Sequence, residues 1–147
     1  GLAPYPFELK FGTPSHRFTF GTDLEELPLK LELKHRPGLD FDYNSAVSQL
    51  AALVLERATG RRYAEFVAEA LWQPLGAADA FVTLDRPAGH PRASASWLAL
   101  PEDWVRLGRL VLDEGRYDGR QVLPRRWIRA MTAPSKANPN YGYQLWR

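Results

Sequence analysis

The segment from Pro37 to Gly60 constrains the fold of this chain more than any other stretch, because it predicts a tight turn followed by a long helix. Pro37 and Gly38 are typical turn residues, and Asn44 and Ser45 both suit the N-cap of a helix. Apolar positions then recur at helical spacing, and Gly60 supplies a left-handed stop. The positions on this face are Ala46, Val47, Leu50, Ala51, Leu53, Val54, Leu55 and Arg57. So wide a face predicts a helix buried on most sides.

Three further helices are predicted after this one. The first covers 63–71 and ends at Pro74-Gly76, the second opens with Pro101 and closes at Gly115, and the third opens with Pro124. Their predicted inward residues are Tyr63, Phe66, Val67, Ala70 and Leu71 in the first, Trp104, Leu107, Gly108 and Val111 in the second, and Trp127, Ile128 and Met131 in the third.

Strand signals are short and lie near the margins of these helices. Residues 81–85 predict a brief strand or an extended link, and Asp118-Gly119 predicts a tight turn. The alternating aromatic segment 141–146 predicts a strand that pairs into a sheet. Residues 1–36 are predicted to be mostly loop, with a short turn at 24–27 and an alternating stretch at 29–33 that fits an edge strand or an irregular lead-in. The chain is therefore predicted to be mainly α.

Composition excludes several classes of protein. With 147 residues, 45% hydrophobic and 24% charged, the chain has the size and balance of one globular domain. No apolar run approaches the roughly 20 residues that span a bilayer, so no membrane segment is predicted. A net charge of +2, with arginines spread over several segments, predicts no nucleic-acid partner. The absence of cysteine excludes disulfides and thiolate catalysis but leaves the compartment open.

Both ends of the chain read as interior positions of a longer one. The sequence begins at Gly1 without methionine and stops in the aromatic segment 141–147, whose predicted strand needs a neighbour to satisfy its backbone. We therefore expect residues 1–147 to form a single partial domain of a longer protein. Residues 1–36 would be its loop-rich lead-in and 37–147 its helical region.

Most candidate site residues have ordinary interpretations. His16, His35 and His90 are far apart, with no second ligand at helical spacing, so they are predicted to be surface or loop histidines and no metal is predicted. Asp40 and Asp42 flank Phe41, and paired carboxylates can hydrolyse glycosides. Two aspartates in a loop before a helix are more often solvated or capping.

Tyr43 leaves two interpretations open. An aromatic residue just before a helix is more often packing than catalysis. The N–H groups and the positive end of the following helix would, however, stabilise a phenolate beside them. A tyrosine in that setting can take a proton from a serine hydroxyl and pass it to a leaving group.

The run from 37 to 60 resembles the third motif region of the serine β-lactamase and DD-peptidase superfamily. It is most similar to class C β-lactamases, family VIII esterases and 6-aminohexanoate-dimer hydrolases, in which a Pro-Gly turn precedes an aromatic residue, the catalytic tyrosine and a helix ending in a Thr-Gly-like step. Further segments resemble these proteins in the same order: 61–76 with its Trp72-Gln73-Pro74-Leu75-Gly76 ending, 103–110, 119–127 and 141–143. The resemblance implies the helical portion of an α/β β-lactamase/DD-peptidase-like fold.

The chain also departs from the pattern of this superfamily. None of its serines is followed three residues later by lysine, so the Ser-x-x-Lys nucleophile motif is missing, as is the Lys-Thr-Gly or His-x-Gly strand. Ser45 stands where class C enzymes place asparagine, and Ala95-Ser96 replaces a more usual Gly-Gly. Gly1-Leu2 resembles the end of a Thr-Ser-Gly-Leu segment downstream of the nucleophile. These departures imply the middle of an enzyme, inactive by itself.

By resemblance, the parent protein is a serine hydrolase that cleaves a small-molecule amide, ester or peptide through an acyl-enzyme, without a cofactor. Tyr43 would be its proton shuttle, and Asn44 and Ser45 would orient Tyr43 or touch the substrate. The parent would need the N- and C-terminal parts of its fold that this chain lacks. The alternative is a non-catalytic helical scaffold or an inactive relative used for binding. Substrate and oligomeric state are not determined by the sequence.

Overall fold

The computed structural model describes residues 11–147, which form two compact units. The first contains 11–63 with 82–97, and the second contains 64–81 with 98–147. The interpretation of Gly1-Leu2, and the part of the lead-in before residue 11, lie outside the described residues. Helices dominate the described chain, and its strands are two residues long, which confirms the prediction of a mainly α chain with marginal strands. No described helix combines the length and the apolar character that crossing a bilayer requires.

The first unit begins with two short helices that the sequence reading largely missed. Helix α1 spans Pro14–Phe20 and α2 spans Glu26–Leu29, whereas residues 1–36 were predicted to be mostly loop. The start of α1 has a local cause, because the Thr13 side chain accepts a hydrogen bond from His16 N and Pro14 occupies the first turn. The stretch after α2 is irregular apart from a single bridging residue at Leu33, so no edge strand forms there.

Helix α3, Ser45–Thr59, is the longest described helix and has the bounds that the sequence predicts. The Asn44 side chain caps it by accepting from Ala46 N, and Gly60 ends it with φ 66°. The expectation that it is buried on most sides is wrong for the described residues. Its buried positions form one narrow stripe, and Val54 is 63% exposed. The stripe consists of Ala46, Gln49, Ala52 and Leu53.

The core of the first unit lies where α1, α2 and α3 meet. Its buried residues are Phe18, Leu24, Leu27 and Ala46, with Leu31 packed against them. The loop from 83 to 96 completes the unit, and the buried carboxylate of Asp85 accepts a hydrogen bond from Leu24 N at 3.3 Å. Because α3 contacts its neighbours along one side only, the other side of this helix stays exposed.

The second unit begins with a helix of changing pitch. Helix α4, Tyr63–Val67, continues as a π-helical turn, Ala68–Trp72, and a 3₁₀ turn, Gln73–Leu75, before Gly76 reverses the chain with φ 61°. The buried residues lie at its end, at Trp72 and Leu75, and none of the residues of α4 is buried. The buried residues of this segment therefore lie nearer its C-terminus than the inward-facing residues predicted within 63–71.

Helix α5, Pro101–Leu112, begins at the predicted proline but buries a different stripe. Asp103 and Leu110 are buried, whereas Trp104 is 42% exposed. Asp103 faces inward because its carboxylate accepts a hydrogen bond from Ala78 N at 3.2 Å and pairs with Arg106. A tertiary hydrogen bond thus decides which face of the helix is buried.

The strands of the described chain form two sheets of two strands each. Strands β3, Arg116–Tyr117, and β4, Arg120–Gln121, form an antiparallel hairpin around the predicted turn, with Asp118 at φ 44° and Gly119 at φ 78°. Strands β1, Phe81–Val82, and β2, Trp97–Leu98, form the other two-stranded sheet.

Helix α6 spans Arg125–Thr132 and buries Ile128, whereas Trp127, predicted to face inward, is 54% exposed. The segment after it, predicted as a strand, instead bends back on itself. Tyr141 and Trp146 form a single bridge, and their rings meet edge to face at 4.9 Å. Gln144 lies at the bend with φ 57°, which breaks the extended alternation.

Candidate active site around Tyr43

A β-turn shapes the loop that leads into α3. Leu39 N donates to Arg36 O at 3.3 Å, with Pro37 and Gly38 between them and Gly38 at φ 85°. Proline followed by glycine at positive φ is the arrangement of a type II turn. The predicted turn is confirmed, and it fixes the direction in which the chain approaches Tyr43.

Tyr43 lies at the surface immediately before the N-cap of α3. It is 66% exposed. The phenol is accessible to solvent in this chain, and both interpretations of Tyr43 stay open. Its catalytic role stays a prediction.

Asn44 and Ser45 hold different positions at the start of the helix. Asn44 Oδ1 accepts from Ala46 N at 3.0 Å, so this side chain fixes the first turn directly after Tyr43. Ser45 is the first helical residue and lines a cavity. The geometry allows Asn44 to orient Tyr43 through the backbone, and it places Ser45 beside space that a ligand can enter.

Asp40 and Asp42 differ in environment, contrary to the expectation that both are solvated or capping. The Asp40 side chain is 59% exposed and lies 3.5 Å from His35 Nδ1. Asp42 Oδ2 is buried and has no hydrogen-bond partner among the described residues. The two carboxylates therefore do not form a matched pair.

A small cavity lies beside the N-terminus of α3, within the first unit. Its volume is about 110 Å³. Its walls are the end of α1, the first turns of α3 and the loop after Pro91, and the residues lining it are Phe18, Thr19, Leu24, Ser45, Gln49, Arg92, Ser94, Ala95 and Ser96. Sequence reasoning identified Ser45 and the Ala95-Ser96 step but did not bring them together.

Gln49 holds the loop wall of this cavity in place. Its amide Nε2 donates to Pro91 O at 2.9 Å, and its Oε1 accepts from Ala93 N at 3.1 Å. Gln49 is fully buried. The sequence carried a signal for it, namely a polar residue three positions after Ala46 on the apolar stripe, but that signal was not used.

Arg92 supplies the one positive charge among the described residues that line the cavity. Its guanidinium donates to two backbone carbonyls at the end of α1, Phe18 O at 2.9 Å and Gly21 O at 2.7 Å. Among the described residues, no carboxylate lines the cavity and no ion pair to Arg92 is present. Nothing in the sequence distinguished Arg92 from the other arginines.

His90 lies in a loop, as expected of the three histidines, but its side chain is only 20% exposed. Its Nδ1 lies 2.8 Å from Glu56 Oε2, and its Nε2 lies 3.4 Å from Glu25 Oε2. Glu56 also accepts from Tyr63 N at 2.8 Å. Within residues 11–147, no group of three or more acidic or histidine side chains is arranged to hold a metal ion.

Comparison with known proteins identifies the family. The sequence profile of the β-lactamase family matches residues 1–144, and the chain belongs to that family. It is therefore a member of the serine β-lactamase superfamily, and its described helices are the helical portion of that fold.

Individual relatives agree with this assignment. The chain is 35% identical over 95 residues to the 6-aminohexanoate-dimer hydrolase of Paenarthrobacter ureafaciens. The matched segment covers 64% of this chain and 24% of that protein. A proposed 6-aminohexanoate-dimer hydrolase from Bacillus anthracis superposes with a TM-score of 0.72 at 26% identity, covering 84% of this chain and 34% of that one. The chain thus spans well under half the length of both relatives.

A further solved structure shows the fold alone. The proposed β-lactamase from Bacteroides dorei DSM 17855 superposes with a TM-score of 0.74 at 22% identity, covering 100% of this chain and 49% of that one.

Proposed function

We propose that this chain is part of a serine hydrolase that cleaves amide, ester or β-lactam carbonyls through an acyl-enzyme, with Tyr43 as the proton shuttle. The observation that carries the proposal is the exposed phenol of Tyr43, held directly before the capped N-terminus of α3 in a chain of the β-lactamase family. The first N–H groups of a helix favour negative charge beside them.

The proposed reaction has two steps. A serine hydroxyl outside this chain attacks the substrate carbonyl carbon, and its proton passes through Tyr43 to the leaving amine or alcohol, whose bond to the carbonyl breaks. Water then attacks the acyl ester and releases the acid, which regenerates the serine hydroxyl. A lysine outside this chain would assist the proton transfer, and backbone N–H groups would stabilise the oxyanion, which is worth about 3–4 kcal/mol per donor.

Asn44 and Ser45 have supporting roles in this proposal. Because Asn44 fixes the first turn of α3, it would set the direction of the Tyr43 side chain. Ser45, which lines the cavity, would touch the substrate. The chain alone would be inactive, since in this account the nucleophile lies elsewhere.

Exposed apolar side chains support the view that further parts of the fold cover these helices. Val54 on α3 is 63% exposed, and Val105 and Leu112 on α5 are 70% and 83% exposed. Large apolar residues gathered on a helix surface are typical of faces that pack against another element. We propose that the N- and C-terminal parts of the parent protein supply that element.

Trapping the acyl-enzyme tests this function. The full-length parent protein is mixed with 4-nitrophenyl butyrate, quenched in acid and examined by mass spectrometry. A butyryl adduct on a serine is expected, and it should form more slowly in Tyr43→Phe. A parent protein that forms no adduct and releases no nitrophenol would instead favour the non-catalytic scaffold.

A further inference from the structure

We propose that the cavity beside Ser45 is a substrate subsite that accepts a short acyl chain ending in a carboxylate, and that Arg92 selects for that charge. This inference rests on the proposed function and goes beyond it by naming the substrate class. The carboxylate lies at the end of the acyl chain that is remote from the reacting carbonyl. The reaction at that carbonyl is the one proposed above.

The size of the cavity limits what it can hold. At about 110 Å³, it is far smaller than the roughly 300–1,000 Å³ that encloses a whole drug-sized ligand. It therefore fits a single substituent of the substrate. Ser45 opens α3 only two residues after Tyr43, and we take a substituent in the cavity to belong to a molecule whose reacting group lies near the phenol.

The lining indicates a chain that is apolar along its length and polar at its end. Phe18 and Leu24 provide apolar walls that suit methylene groups, and Ser45, Ser94 and Ser96 provide hydroxyls. Serine hydroxyls both donate and accept hydrogen bonds, so by themselves they do not select a charge.

Arg92 decides the charge. Of the lining residues that the structure describes, it is the single charged one. Its guanidinium has five N–H donors, of which the bonds to Phe18 O and Gly21 O use one on Nη1 and one on Nη2. Those two bonds hold the side chain in place before a ligand arrives, which lowers the entropic cost of pairing. A guanidinium binds a carboxylate strongly, through charge-assisted hydrogen bonds.

The rest of the wall is fixed in the same way. Gln49 ties Pro91 and Ala93 on either side of Arg92 to helix α3. A preformed wall whose described part carries one cation and no carboxylate discriminates against neutral and cationic substituents. Such a site would give the enzyme a preference for half-esters or half-amides of short dicarboxylic acids.

The test compares two matched substrates in the full-length parent protein. One is the mono-4-nitrophenyl ester of glutaric acid, and the other is its neutral counterpart, in which the free carboxylate is a carboxamide. Each rate is corrected for spontaneous hydrolysis. The wild-type kcat/KM is expected to favour the anionic ester by at least about tenfold, the factor that corresponds to ~1.4 kcal/mol.

Two variants locate the preference. Arg92→Gln removes the charge, and Ser94→Asp adds an opposing charge while leaving the bonds from Arg92 to α1 available. Both should abolish the preference for the anionic ester. Lys30→Gln, which removes an exposed cation paired with Glu26, is the matched control and should keep the preference.

The outcomes separate this inference from the proposed function. The subsite is overturned if the neutral ester is turned over through Tyr43 and the anionic ester is not preferred, or if the preference survives both variants. Either result leaves the proposed hydrolase function standing. If Arg92→Gln does not fold, Ser94→Asp decides. If no ester is turned over, calorimetric titration with monomethyl glutarate decides: binding that Ser94→Asp weakens at least about tenfold supports the subsite, and no binding rejects it.

Discussion

The buried side chain of Gln49 on α3 binds the backbone N–H of Ala93 at 3.1 Å, and through this bond the helix that follows Tyr43 holds the loop that forms the cavity wall. The same amide donates to Pro91 O at 2.9 Å. One side chain therefore satisfies two backbone groups on either side of Arg92. The candidate site therefore depends on the hydrogen bonds of Gln49 as well as on the residues that line the cavity.

Replacing Gln49 by methionine should destabilise the protein because Pro91 O and Ala93 N each lose a hydrogen bond to its amide and keep only the bond between themselves, at 3.0 Å. Each lost hydrogen bond costs roughly 0.5–1.5 kcal/mol. Gln121→Met is the matched control, since Gln121 Nε2 also donates to two backbone carbonyls, those of Glu114 and Leu123, but at an exposed position where water replaces it. Urea unfolding of both variants should show a large loss for Gln49→Met only. Equal losses would mean that burial of the amide does not matter.

Asp103→Ala should be among the more destabilising single changes in α5. Its buried carboxylate accepts from Ala78 N at 3.2 Å and pairs with Arg106, so alanine leaves a backbone donor without its partner and costs roughly 1–3 kcal/mol. Glu102→Ala, one residue earlier and exposed, should change the unfolding free energy by less than ~0.5 kcal/mol. Thermal unfolding of the two variants side by side measures the difference, and similar melting temperatures would contradict the account.

Replacing either of two glycines at positive φ by alanine should destabilise the protein, but to different extents. Gly115 has φ 85° and Gly119 has φ 78°, so both substitutions incur the backbone cost of about 1–2 kcal/mol. A Cβ on Gly115 would also overlap the carbonyl oxygen of Leu123, whereas a Cβ on Gly119 meets open space. Gly115→Ala should therefore be less stable than Gly119→Ala by about a further 1–3 kcal/mol in urea unfolding. The reverse order would be inconsistent with the packing described.

Glu114 should contribute to stability in a pH-dependent way. Hydrogen bonds from Arg125 and Arg129 hold the pKa of its carboxyl below the usual range for glutamate. Because the folded-state pKa is lowered, its contribution is present above the unfolded-state pKa and is lost as the pH falls through the folded-state pKa. Wild type should be more stable than Glu114→Gln at neutral pH, and the difference should shrink on acidification and at high salt. A difference that grows in acid would contradict this assignment.

The sequence predicted those elements whose causes are local. The ends of helix α3 could be predicted because Asn44 and Gly60 act within one turn of them. The hairpin could be predicted because Asp118-Gly119 suits only a narrow range of turns. Helix α1 was missed although Thr13 and Pro14 signal its start, since seven residues are too few to show an apolar period.

Burial was predicted less well because it depends on contacts distant in sequence. Gln49 and Asp103 face inward through hydrogen bonds to Pro91, Ala93 and Ala78, which no periodicity reveals. In the candidate site, the exposed position of Tyr43 before α3 agrees with the resemblance that singled it out. Arg92 and the cavity could not be predicted, because they form only when the end of α1, the start of α3 and the loop after Pro91 come together.

The role of Tyr43 is tested most directly by the steady-state hydrolysis of 4-nitrophenyl butyrate by the full-length parent protein. Tyr43→Phe is compared with Tyr63→Phe, which removes the hydroxyl of a partly buried tyrosine in the same unit. A proton shuttle typically contributes about 10²–10⁴-fold. The account predicts that kcat/KM falls by at least about a hundredfold in Tyr43→Phe and stays near wild type in Tyr63→Phe. Wild-type turnover in a folded Tyr43→Phe variant would contradict it.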